Sequence, residues 1–69
     1  FDFEELKKKM KKFYNHQDID ERDGVKIKFE ESWLHIRKSN TEPIIRIYTE
    51  AKSESDCNKI IDDFKALIT

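Results

Sequence analysis

The sequence predicts an α+β fold in which a small antiparallel sheet carries two helices packed on one face. Apolar residues recur at spacings of three and four near both ends of the 69-residue chain, which is the pattern of a helix with one buried side. Between these segments, apolar and polar residues alternate in short runs, as in half-buried strands. The connections between the runs are short, so neighbouring strands are expected to pair antiparallel.

The first helix is predicted near the amino terminus. Its apolar stripe consists of Phe3, Leu6, Met10 and Phe13. Asp2 is expected to cap it, with Glu5 three residues later as in a capping box. The lysines that follow are interpreted as a solvated helix face rather than a surface for RNA or membrane, because no aromatic residue or arginine is interleaved with them.

Residues 15–23 are polar and acidic and are predicted to form a loop, with a short edge strand at its start. The aspartates in this segment suggest a calcium loop, but their spacing excludes one. Counted from Asp18, the fifth position is Arg22, the sixth is Asp23 rather than glycine, and the twelfth is Phe29 rather than glutamate. A solvated connection is therefore expected here.

Three strands are predicted after a turn at Asp23 and Gly24, the only glycine of the chain. They span residues 25–29, 32–37 and 44–51, with a tight reversal at Glu30 and Glu31 between the first two. Leu34, Ile36, Ile45 and Ile47 are assigned to the core face. The opposite face is expected to be open and to carry Trp33, His35, Arg37, Arg46 and Tyr48.

The second helix is predicted to follow Ser53, which would cap it, with Asp56 at the third position. Its apolar side consists of Cys57, Ile60, Ile61, Phe64, Leu67 and Ile68. Cys57 is the only cysteine, which excludes an internal disulfide and suits a reducing compartment. Its place on the apolar side predicts a buried, inert thiol.

Composition predicts one domain over residues 1–69 and a function that depends on a local site. The net charge is −1 and the isoelectric point is about 6.1, so no overall basic field is available to attract nucleic acid or an anionic membrane. No apolar run approaches the roughly 20 residues of a membrane span. The chain starts at Phe1 rather than at methionine, as expected of a piece of a longer protein.

The loop at residues 37–43 is the candidate site. Arg37 offers a planar fork that matches two phosphate oxygens, and Ser39 and Thr41 add hydroxyl groups. Asn40 tolerates the left-handed conformation that a sharply turned, amide-exposing loop usually needs. Arg46 lies on the same face as Arg37 by strand parity. These features predict a phosphate-binding loop.

A polar turn without function is the alternative, with the two arginines paired to Glu42 or Glu50. Residue 43, the only proline, is expected at the first residue or edge of the third strand, where it holds Glu42 extended. No catalytic group and no metal ligand set is predicted, because His16 and His35 belong to no recognisable triad or metal spacing. The two glutamates of the reversal are expected to have no concavity to work in.

The runs VKIKF (25–29) and SWLHIRKSNTEPIIRIYTEA (32–51) resemble the C-terminal domain of the α-D-phosphohexomutases. These enzymes are the phosphomannomutases, phosphoglucomutases and phosphoglucosamine mutases. The shared motif is Arg-x-Ser-(Gly/Asn)-Thr-Glu-Pro followed by Arg-(Ile/Val)-Tyr, here at residues 37–43 and 46–48. The resemblance extends from the Asp-Gly turn through the last helix.

The resemblance implies a TATA-binding-protein-like fold and the fourth, last domain of a mutase that interconverts hexose 1-phosphate and hexose 6-phosphate. It implies that the substrate phosphate is bound by Arg37, Ser39, Asn40, Thr41 and Arg46. The phosphoserine nucleophile and the magnesium ligands would lie in the three preceding domains, so the isolated fragment is expected to be inactive. Mg²⁺ and a hexose 1,6-bisphosphate activator are implied for the full-length enzyme.

The expected partners are a phosphosugar substrate and the three preceding domains of the same chain, with no nucleic acid and no membrane. The expected location is the cytoplasm. Asn40 in place of glycine favours a phosphomannomutase or phosphoglucomutase slightly over the glucosamine enzyme, and the hexose stays open. The alternative function is a free-standing module that binds protein or RNA through its open sheet face.

Overall fold

The predicted α+β class is confirmed by a computed structural model, which describes residues 2–42 and 44–68. The elements in chain order are α1 (Phe3–Phe13), β1 (Asp18–Asp20), β2 (Val25–Lys28), β3 (Trp33–Lys38), β4 (Ile45–Glu50) and α2 (Glu54–Ile68). The bounds of β2, β3 and β4 agree with the predicted strands to within one residue at each end. The expectation for Pro43 lies outside the described residues.

The first helix begins as predicted, but its apolar stripe ends one residue later than expected. The carboxylate of Asp2 accepts hydrogen bonds from the backbone N–H groups of Glu4 and Glu5, at 3.0 and 3.3 Å. The assignment of Phe13 to the stripe is wrong, since Phe13 is 51% exposed and Tyr14 is buried instead. Tyr14 sits at the helix cap, where its ring packs edge-on against Phe29.

The sheet has four antiparallel strands in the order β1-β2-β3-β4. The edge strand β1 lies in the middle of segment 15–23 and not at its start, which corrects the expectation for that segment. Ile19 explains the placement, because it pairs with Ile27 and packs against the core. The tight reversal between β2 and β3 is confirmed by a hydrogen bond from Phe29 N–H to the carbonyl oxygen of Ser32, at 2.9 Å.

Both helices pack on the same face of the sheet. The buried cluster joins Leu6 and Met10 of α1 and Phe64 of α2 to four strand residues, which are Val25, Ile27, Leu34 and Ile36. All four strand residues are fully buried, and each such side chain contributes about 1.5–3 kcal/mol of hydrophobic stabilisation. The opposite face carries the alternating side chains and is not covered by either helix. We call it the open face.

The second helix is capped as predicted, since Ser53 Oγ accepts a hydrogen bond from Asp56 N–H at 3.1 Å. Cys57 is half-buried rather than buried, which corrects the expectation for its thiol. It lies in the first turn of α2, away from the centre of the core at Phe64. Within residues 2–42 and 44–68, no helix is both long and apolar enough to cross a membrane.

Candidate anion-binding site

Arg37 and Arg46 are direct partners in the register of β3 and β4. Both side chains therefore project from the open face, as strand parity predicted. Directly opposed residues of antiparallel strands have their Cβ atoms roughly 4.5–5.5 Å apart, and like charges in this position destabilise a sheet. The pair thus concentrates positive charge at the end of the sheet, next to the loop of residues 39–44.

The charges of these two arginines are only partly compensated. Arg37 Nε lies 3.4 Å from Asp23 Oδ2, and both side chains remain largely exposed. The alternative prediction was that Glu42 or Glu50 neutralises the arginines. It is not supported here, because the carboxylate beside Arg37 belongs to Asp23. In the part of the chain that the structure describes, the side chain of Arg46 has neither an ion pair nor a hydrogen bond.

Arg22, the remaining arginine of the chain, differs from Arg37 and Arg46 because its guanidinium is hydrogen-bonded to a carboxylate. Arg22 donates hydrogen bonds to the carboxylate of Asp20, the shortest at 2.7 Å. These bonds hold the pKa of Asp20 well below its usual range and raise the pKa of Arg22. A neighbouring carboxylate therefore engages Nε and one terminal nitrogen of Arg22, whereas the side chain of Arg46 has no such partner among the described residues.

The loop backbone leaves donors beside the arginine pair. Ser39 N–H donates to the carbonyl oxygen of Ile44 at 3.0 Å, and Ile44 N–H donates to that of Glu42 at 2.8 Å. The backbone N–H groups of Asn40 and Glu42 have no partner among residues 2–42 and 44–68. Unpaired amides in a turn are a recurrent way to bind an anion.

The predicted loop residues differ in accessibility. Asn40 and Thr41 are exposed, whereas Ser39 is 8% exposed. Ser39 Oγ accepts a long hydrogen bond of 3.4 Å from Thr41 N–H, so this hydroxyl supports the shape of the loop. Its own proton remains free to be donated, because a hydroxyl group can accept and donate at the same time.

The left-handed conformation expected at Asn40 is absent. Among the described residues, only Gly24 has a positive φ, at 69°. Residues 40–42 bend without it, and two backbone hydrogen bonds join Ile44 to Ser39 and to Glu42. Asn40 is exposed, and its backbone does not adopt the left-handed conformation.

His35 was predicted to lie on the open face with Arg37, but the contacts of Asp23 with His35 and Arg37 were not predicted. His35 lies on the open face, and its Nε2 is 2.6 Å from the carbonyl oxygen of Asp23. Because a carbonyl oxygen only accepts, Nε2 carries the proton. The ring also lies beside Tyr48, with 5.9 Å between centroids. The sequence did indicate that the turn at residues 23–24 lies near Arg37, because the reversal at residues 30–31 places residue 24 opposite Arg37 in the register of the strands.

Comparison with known families identifies the chain. The family model described as "Phosphoglucomutase/phosphomannomutase, C-terminal domain" matches residues 1–67. The chain belongs to this family. The match covers the loop, the strand that follows it, all of α1 and all but the last residue of α2, so the predicted resemblance to the phosphohexomutase C-terminal domain is confirmed.

Three archaeal relatives illustrate the similarity. The phosphoglucosamine/phosphogalactosamine mutase of Sulfurisphaera tokodaii is 40% identical over 94% of the chain, and the probable phosphoglucosamine mutase of Methanopyrus kandleri is 40% identical over 77%. The phosphoglucomutase/phosphomannomutase of Thermococcus kodakarensis is 50% identical over 64%. The chain spans only 15%, 12% and 10% of the lengths of these relatives, respectively.

A cavity among the described residues of this C-terminal domain has no arginine in its lining. It measures about 390 Å³ and is situated at the other end of β3, between the β2–β3 turn and α2. Glu30 and Glu31 line it, so the expectation that these glutamates face no concavity is wrong. Tyr14 also lines it, and its buried hydroxyl has no partner within the described chain. Burial and the nearby Asp63 carboxylate raise the pKa of Tyr14.

Proposed function

We propose that this domain binds the phosphate group of a phosphosugar within a phosphohexomutase, an isomerase that interconverts hexose 1-phosphate and hexose 6-phosphate. Family membership supports the mutase. The observation that carries the phosphate site is the direct opposition of Arg37 and Arg46 at the mouth of a loop with unpaired backbone amides. The proposed contacts are Arg37, Ser39, Asn40, Thr41 and Arg46.

The chemistry of the donors matches a phosphate dianion. The guanidinium of Arg37 engages two phosphate oxygens at once, and Arg46 supplies the second positive charge. The free N–H groups of Asn40 and Glu42 and the hydroxyl of Thr41 meet the remaining lone pairs. Such charge-assisted hydrogen bonds each contribute about 1.5–3 kcal/mol, which is enough for a modest but specific affinity.

A site built from these groups reads the phosphate and not the sugar ring. It can therefore hold either the 1-phosphate or the 6-phosphate, as a mutase requires when its substrate is turned between half-reactions. Its contribution to the reaction is to position the substrate. Restricting a substrate in this way contributes up to about 7–11 kcal/mol in favourable cases, shared among all the groups that hold it.

The reactive groups belong to the rest of the proposed enzyme. No three potential metal ligands lie together in the described part of this domain, and we propose no metal site in it. Mg²⁺ and a hexose 1,6-bisphosphate activator would act with the three preceding domains, in the cytoplasm. The domain alone is expected to be inactive and to bind the phosphosugar weakly, because most of the cleft would be missing.

Titration of the ¹⁵N-labelled chain with mannose 6-phosphate tests the site. Backbone signals of residues 37–41 and of Arg46 are expected to shift, and unphosphorylated mannose should leave them unchanged. Shifts confined to other residues would contradict the proposed site. In a full-length mutase carrying this domain, Arg37→Ala should lower kcat/KM by about tenfold or more while the amide spectrum of the fold is retained.

A further inference from the structure

The turn at Asp23 and Gly24 packs directly on the arginine that binds phosphate in the proposed function. A Cβ atom on Gly24 would overlap the carbonyl oxygen of Ile36 and would lie 3.2 Å from both Cα and Cγ of Arg37. Gly24 also has a φ of 69°, which glycine adopts without steric cost. The backbone of the turn thus packs against the aliphatic part of the Arg37 side chain.

Asp23 adds a polar contact between the turn and Arg37. Its carboxylate lies against Nε of Arg37 at 3.4 Å, on the side edge of the guanidinium group. A guanidinium group has five N–H donors, and Nε supplies only one of them. The two terminal nitrogens of Arg37 are left for a ligand, and they form the fork that matches two phosphate oxygens.

His35 fixes the turn in this place. Its Nε2–H donates to the carbonyl oxygen of Asp23 at 2.6 Å, and its ring is flanked by Tyr48, its partner in the sheet. Both the neutral imidazole with its proton on Nε2 and the imidazolium can donate this bond. His35, Asp23 and Arg37 therefore form a chain of contacts in which each residue limits the movement of the next.

We propose that Asp23 is a positioning residue for Arg37 and that His35 holds Asp23 in register. This inference rests on the proposed function, since it assigns a role within the same phosphate site. Asp23 restricts the guanidinium through Nε and leaves its two terminal nitrogens to the ligand, so that less freedom is lost when the phosphate binds.

Asp23 also has an opposing effect, because its negative charge repels a phosphate dianion. Two substitutions separate the effects. Asp23→Asn removes the charge and keeps a side-chain oxygen that can lie against Arg37 Nε, whereas Asp23→Ala removes both. If orientation matters, the asparagine variant should bind mannose 6-phosphate at least as tightly as the original chain. The alanine variant should bind it roughly two- to fivefold more weakly than the asparagine variant.

The Arg37 Nε–H signal in the ¹⁵N spectrum reports the contact itself. It should be retained in Asp23→Asn, and it should move towards the position of a free arginine in Asp23→Ala while the amide signals of β2 and β4 stay in place. His35→Ala should move the same signal in the same direction. The double variant that combines Asp23→Ala with His35→Ala should bind mannose 6-phosphate no more weakly than Asp23→Ala alone. This is expected because His35 acts on Arg37 only through Asp23.

Equal affinities of the alanine and asparagine variants would overturn the positioning role, as would an unchanged Arg37 Nε–H signal in Asp23→Ala. Failure of the proposed function gives a different result, in which mannose 6-phosphate shifts no signal of residues 37–41 in the original chain. The inference is supported by binding in the original chain together with weaker binding in Asp23→Ala than in Asp23→Asn.

Discussion

Arg37 and Arg46 face each other across β3 and β4 on the face that the helices leave uncovered. Two like charges in this position oppose sheet pairing, and a single exposed carboxylate, that of Asp23, lies against one of them. A sequence selected for stability alone would place an acid or an apolar residue at one of the two positions. The unfavourable pair therefore supports the proposal that both arginines bind one anionic ligand.

Arg46→Ala is expected to separate stability from binding. Removing one of two opposed cations should leave the free energy of unfolding unchanged or raise it by about 0.2–1 kcal/mol. The same change should weaken mannose 6-phosphate binding by about tenfold or more, since a charge-assisted contact is lost. Urea denaturation and ligand titration measure the two effects.

Lys28→Ala is the matched control for Arg46→Ala. Lys28 also lies on the open face, but its partners in the sheet are Asp18 and Trp33, away from the loop. It should not change phosphosugar affinity. Equal losses of affinity in both variants would mean that general positive charge on the open face, and not a defined site, attracts the ligand.

Arg37→Lys should test the shape of the donor at constant charge. An ammonium group cannot match two phosphate oxygens in the plane of a fork, and it has no Nε edge for Asp23 to engage. We expect mannose 6-phosphate affinity to fall nearly as far as in Arg37→Ala. An affinity close to that of the original chain would show that charge alone is recognised.

The placement of the arginines was predictable because it depends on local rules. Alternation in β3 and β4 assigns Arg37 and Arg46 to one face whatever the details of packing. Hydrophobic spacing and the side chains of Asp2 and Ser53 similarly determine where the helices lie and where they begin. These features need only near neighbours in the sequence.

Other features depend on contacts between distant residues and were not predicted. The reversal at Glu30 and Glu31 sets the register that brings the Asp23–Gly24 turn to Arg37, but the rotamers that join Asp23, Arg37 and His35 follow from packing. The change from an exposed Phe13 to a buried Tyr14 likewise depends on where the ring of Phe29 lies.

Gly24→Ala should destabilise the fold. The new Cβ would meet backbone atoms of β3, which cannot move aside as a flexible side chain can, and alanine is strained at a φ of 69°. A loss of about 1–3 kcal/mol in the free energy of unfolding is expected in urea denaturation. Glu31→Ala, in an exposed turn of the same sheet, should change it by less than about 0.5 kcal/mol. Equal effects would show that the turn does not pack on β3 as described.

Tyr14 links stability to alkaline pH. Burial and the Asp63 carboxylate raise the pKa of Tyr14 above the ordinary tyrosine value of 10.0, so the folded state holds the phenolic proton more tightly than the unfolded state does. The stabilisation is fully present below pH 10 and is lost as the pH rises through the folded-state pKa.

Tyr14→Phe tests this linkage. The variant has no phenolic proton to lose, so the part of the fall in stability at alkaline pH that is due to Tyr14 should disappear. Because the hydroxyl has no partner among the described residues, the variant should be at least as stable as the original chain at neutral pH. Urea denaturation at neutral pH and above pH 10 measures both effects, and a less stable variant at neutral pH would show that the hydroxyl is hydrogen-bonded in solution.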